Sequence, residues 1–179
     1  MSDPTKTSNR AERFMERLRL ISNDRGKMAA LRRSASPGTA RQAWPVIHSL
    51  GEDIASVAAC TVGGLYAGHP QEARDVSSFG TTCRRIALHE VADHQIPESF
   101  ERRFRRLLAC DSVVDVAAQL KAWVRFAAAR GIGVPYESLF WNLLSWNNHS
   151  DRIKLEWARG FWPLHKDAVA PNEAQEVNP

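Results

Sequence analysis

Apolar residues return every three or four positions along most of this chain, and no useful stretch alternates with the two-residue period of a strand. The pattern predicts an all-α fold of about eight to nine helices, with connections short enough that neighbours pack antiparallel. A first helix is expected over about 9–21, with Phe14, Leu18 and Ile21 on one stripe, and SNDRG breaks it. Asp24 is placed to cap a second helix that carries RGKMAALRR. After the turn SPG at 36–38, Thr39 and Gln42 have capping-box spacing, and Pro45 is expected to kink or end that third helix early. An apolar helix follows over about 52–67 and closes at Gly68 and Pro70. A shorter one over about 78–91 holds Arg84 and Arg85.

The second half is more sharply marked. Pro97 falls at a first-turn position with Glu98 and Glu101 behind it, where negative charge meets the helix dipole favourably. Asp111 is the expected cap of the next helix, whose Val113, Val116, Leu120, Trp123 and Ala127 make one stripe until Arg130 and Gly131 end it. GIGVP leads into a helix over about 135–146. Ser150 is expected to cap a last one running through Ile153, Trp157 and Phe161. Residues 1–9 read as a disordered start and 166–179 as a disordered acidic tail.

Length and composition narrow the class without naming a function. The 179 residues suffice for one domain or two small lobes, and 44% hydrophobic with 25% charged content is that of a soluble globular protein. There is no apolar run of membrane-spanning length and no secretory h-region at the start, so a cytoplasmic location is expected. Cys60, Cys83 and Cys110 are scattered and odd in number, as buried thiols are in a reducing compartment. Net charge is +4; past His165 the tail has one lysine and three acids, which leaves the body near +6. Nineteen arginines outnumber five lysines. The planar guanidinium fork suits phosphate, although a GC-rich coding bias raises arginine content as well. Position has to decide.

The stretch SFERRFRRLLACD, residues 99–111, supplies that position. On a helical wheel Phe100, Phe104, Leu107 and Leu108 fall within about 100° of one another, while Arg102, Arg103, Arg105 and Arg106 centre almost opposite. Burying the apolar face therefore exposes the arginines within about one turn. Glu101, at the margin, cannot neutralise all four. A charge run on a helix is ordinarily its solvated face, but further basic sets accompany this one: Arg25, Lys27, Arg32 and Arg33; Arg84 and Arg85; Lys121 and Arg125; Arg152 and Lys154.

Catalytic signatures are missing. HEVADH at 89–94 is near the zinc-protease H-E-x-x-H, yet Asp93 holds the i+4 position and the second histidine comes one residue late, about 100° round the helix. No metal or cofactor is expected. TVGGLYAG and ARGIGVP match neither a P-loop nor GxGxxG, and no Ser or Cys has a nucleophile context. Trp123, Trp146 and Trp157 lie on apolar stripes and are expected in the core. SASPGTARQAW passes for the turn into a recognition helix, which keeps a sequence-specific DNA-binding regulator as the alternative; Pro45 leaves that helix too short to read a groove.

RGKMAALRR, FERRFRRLLACD and GIGVPYESLFWNLLSWNNHSDRIKLEWARGFW, in this order and spacing over roughly residues 10–163, resemble the CasB family, the small subunit of the type I-E CRISPR surveillance complex Cascade. Gln42 to Asp93 matches loosely, and Asn142 stands where family members often have Asp. The resemblance implies a non-catalytic helical protein of two small packed lobes, 10–94 and 95–165. Two copies would sit side by side with the other Cascade subunits, bracing guide RNA and target strand and holding the displaced DNA strand. Carried over residue by residue, the nucleic-acid contacts fall on Arg32, Arg33, Arg102, Arg103, Arg106, Lys121, Arg152 and Lys154, with Arg25 and Lys27 as further additions.

Overall fold

The computed structural model describes residues 4–163 except 36–37, 74, 77, 90 and 92–94. The tail 166–179, residue 94 at the expected lobe boundary, and Asp93 and His94 of HEVADH lie outside the described residues. Among the described residues eight α-helices follow one another: α1 (Pro4–Leu20), α2 (Arg25–Arg32), α3 (Trp44–Ser49), α4 (Val57–Gly68), α5 (Phe79–Ala87), α6 (Glu98–Leu108), α7 (Val113–Ala129) and α8 (Tyr136–Phe161). Among the described residues no strand forms; Glu72 and Val134 make an isolated bridge.

Local chemistry accounts for the boundaries. The Asp24 carboxylate accepts the Lys27 amide at 3.0 Å, which is the expected cap of α2. Helix α1 starts at Pro4, inside the stretch expected to be disordered. Pro45 begins α3 instead of ending a helix, because its missing N–H costs nothing in a first turn. The Thr39 hydroxyl donates to the Arg33 carbonyl at 3.0 Å instead of capping the turn that follows. Serines cap the starts elsewhere, at Ser78 where one was expected and at Ser56 and Ser112 in place of the expected ones. Ser56 accepts the Ala59 amide at 3.2 Å, Ser78 the Gly80 amide at 3.3 Å, and Ser112, not Asp111, the Asp115 amide at 3.1 Å. The two helices expected after Pro135 are joined into α8 across a kink at His149 (φ −140°, ψ 23°).

Helix α8 is the spine, packing on α5, α1 and α4. Its Phe140 stacks on Phe14 of α1 at 4.3 Å between ring centres. Helix α4 buries eight of its twelve residues, as a helix apolar all round must, because α2, α7 and α8 enclose it. Where α5 crosses α8, a Cβ on Gly80 would lie 1.8 Å from the Trp157 carbonyl oxygen, so the backbones touch there. Helix α1 is held by Arg10, whose Nε donates to the buried Glu52 carboxylate at 3.0 Å, and by Arg19, which grips Glu72 through two bonds of 2.8 and 2.7 Å.

Tyr136, at the start of α8, donates its hydroxyl to the His69 carbonyl at 2.6 Å and sets its ring edge-on to Tyr66. Burial pushes its phenol well above the ordinary tyrosine range. Removing this bond with Tyr136→Phe is expected to cost about 1 kcal/mol. The melting temperature should then fall by about 2–4 °C in a calorimetric scan.

Candidate nucleic-acid interface

Helix α6 divides as its sequence pattern requires. Phe104 and Leu107 are buried, Phe100 and Leu108 half-buried, and Arg102, Arg103, Arg105 and Arg106 all exposed. The apolar face rests on an aromatic ledge: Phe104 stacks on Phe161 at 3.9 Å, and Phe100 lies 5.8 Å from Trp123 and 5.4 Å from Phe126. With the buried face anchored in this way, the guanidinium groups cannot turn inward without unstacking the ledge.

Their own partners are weak. Arg102 pairs with Glu98 at 3.7 Å and Arg105 with Glu101 at 2.7 Å, both exposed i,i+4 pairs. Pairs of this kind are worth about 0.3–0.5 kcal/mol, so a phosphate displaces them readily. Arg103 lies 5.2 Å from the Phe126 ring centre, and Arg106 has no ion pair among the described residues. Arg130 also reaches Phe126, at 5.4 Å, and Phe100, at 5.5 Å, adding a cation to the seam of α6 and α7.

A second cationic group forms where α2, α4 and α7 meet. Arg32, Lys121 and Arg125 line one hollow of about 160 Å³ that opens to solvent, together with Gly64, Leu65, Gly68, His69, Val124 and Ala128. Arg32 is steadied by its Nε, which donates to the Ala67 carbonyl at 2.8 Å. No carboxylate lines the hollow. Arg125 stands four residues after Lys121, so one helix face presents both; that spacing was the available signal for it.

The remaining basic positions differ from one another. Arg25 and Arg152 are exposed. Lys27 pairs with Asp24 at 3.6 Å, and Arg33 donates to Gln42 at 2.5 Å. Lys154 is only 19% exposed, pairs with Asp111 at 3.3 Å and lies 5.9 Å from the Trp146 ring centre, so its charge is already engaged. Trp123, Trp146 and Trp157 are buried, as their stripes predict. Asn142 is buried too, and its Nδ2 has no hydrogen-bond partner among the described residues.

Among the described residues, no group of three His, Cys, Asp or Glu side chains is close enough to hold a metal, and no helix is long and apolar enough to cross a membrane. The three cysteines are free, and burial is the main cause raising each thiol above its ordinary range. Helix α3, six residues long, offers little to a DNA groove.

The family model described as CRISPR-associated protein Cse2 matches residues 27–162. The chain belongs to the Cse2 family. The match takes in every candidate basic residue except Arg25. No curated protein sequence matches significantly. Among solved structures, the fold of this Cse2-family chain is similar to a Cse2-family CRISPR-associated protein from Thermus thermophilus, with TM-score 0.68, 23% identity, and 84% of this chain and 96% of that one covered. It is also similar to a structure of CasB from Thermus thermophilus, with TM-score 0.67, 24% identity and the same coverages. A chain of a CRISPR RNA-guided surveillance complex matches with TM-score 0.67 and 17% identity over 87% of this chain and 92% of that one.

Proposed function

We propose that this chain is a non-catalytic small subunit of a type I-E Cascade ribonucleoprotein in the cytoplasm, acting in antiviral defence. It braces the guide RNA and target strand among the other Cascade subunits, beside a second copy of itself. Its exposed basic residues hold the displaced DNA strand of the R-loop. The mechanism is electrostatic: a strand held by its phosphates is less free to re-anneal, so the open loop persists. Sequence specificity comes from guide pairing and not from this subunit.

The observation that carries this reading is helix α6, which fixes Phe104 and Leu107 in the core and so holds four arginines outward. A rigid basic helix face makes sequence-tolerant phosphate contacts. Family membership and the similarity to a chain of a CRISPR RNA-guided surveillance complex support the setting.

Tagged protein, expressed in its own cells and purified under mild salt, should carry along RNA of guide length together with other subunits. Recovery of the chain free of RNA and of partners, from cells that transcribe a CRISPR array, would contradict the reading.

A further inference from the structure

We propose that the hollow between α4 and α7 seats one base of a bound single strand, with the flanking phosphates held by Arg32, Lys121 and Arg125. The inference deepens the nucleic-acid reading above and rests on it. Size comes first. At about 160 Å³ the hollow is comparable to a cavity of about 150 Å³ that takes one benzene ring. Its mouth is open, so a base can enter while sugar and phosphate stay outside.

The lining chemistry divides in the same way as a nucleotide. The floor is apolar apart from His69, whose Nε2 is already engaged with the Ile132 carbonyl at 2.8 Å, and Gly68 leaves it uncovered: a Cβ there would meet nothing within 4 Å. The rim is cationic. Lys121 and Arg125 stand about 6 Å apart along the axis of α7, close to the spacing of successive phosphates on a strand. Neither forms an ion pair among the described residues, and the terminal nitrogens of Arg32 are likewise without a partner there. An acidic peptide without an aromatic side chain would satisfy the rim but has nothing flat to place on the floor. A nucleotide satisfies both.

The test uses the full chain and two labelled 12-residue strands, oligothymidylate and the same backbone with every base removed, titrated at several salt concentrations. Wild-type protein is expected to bind the intact strand about tenfold more tightly, within the range that one seated or stacked base contributes. Gly68→Leu and Ala128→Leu each fill the hollow, and each should abolish that preference while leaving the salt dependence unchanged. Two variants are used so that one folded variant, verified by circular dichroism, is enough to decide. Equal wild-type binding of both strands, with strong salt dependence, would overturn the seated base while the Cascade reading stands. A preference that survives both fillings would also overturn it. No salt-dependent binding of either strand would remove both readings.

Discussion

Replacing Gly80 by valine is expected to lower the melting temperature by about 6–12 °C, the largest stability effect of any single change described above. A side chain there meets the Trp157 carbonyl oxygen at 1.8 Å, its carbon at 2.5 Å and its Cα at 2.7 Å. All three are backbone atoms, so no rotamer change relieves the clash and α5 must move away from α8. That movement loosens the Phe79–Trp157 contact at 5.4 Å and the Arg84 bond to the Phe161 carbonyl at 3.2 Å. Overpacking of this severity costs about 3 kcal/mol, and each kcal/mol moves the midpoint by about 2–4 °C in a chain of this size. Gly68→Ala is the control. Its Cβ enters open space, so its midpoint should stay level or rise slightly. A Gly80→Val protein that melts with the wild type would mean that the two helices do not cross as closely as described.

Reversing the charge of Arg102, Arg103 and Arg106 together is expected to weaken single-strand binding by roughly 100-fold near 0.1 M salt. Each phosphate contact on a single strand contributes a slope of about 0.7 in log affinity against log salt, and three are removed. The fold should survive. These side chains are exposed, and the losses within the protein are the long Arg102–Glu98 pair and the Arg103 contact with Phe126. Each is a surface interaction worth less than about 1 kcal/mol. Unchanged affinity with intact helices would assign the arginines to acidic protein neighbours, which carboxylate chemistry equally permits.

Helix α6 was legible from sequence alone because its information is local: four apolar and four basic residues within two and a half turns dictate which side is buried. The cap Asp24 and the core tryptophans were legible for the same reason. What periodicity does not carry is contact between distant segments. Lys154 looks like another outward cation on its own helix, yet Asp111, forty-three residues earlier, engages it. Arg125 shows only half its meaning in sequence, since Arg32, which shares its hollow, arrives from α2. Pro45 misleads because proline stops a helix or starts one depending on which turn it occupies, and the alternative starts at Ser56 and Ser112 compete with neighbours of similar capping strength. The break within α8 was legible as well: the sequence parts two helices just before Ser150, and His149 leaves helical φ/ψ there while Ile153 and Trp157 beyond it stay in the core.

The central claim, that outward arginines on a rigid helix hold a flexible polyanion, reduces to one comparison. Single-strand affinity is measured over a range of salt for the wild-type chain and for a variant with Arg102, Arg103 and Arg106 all changed to glutamine, which removes charge without adding repulsion. The two log–log lines should differ in slope by roughly 2. Parallel lines would contradict the account.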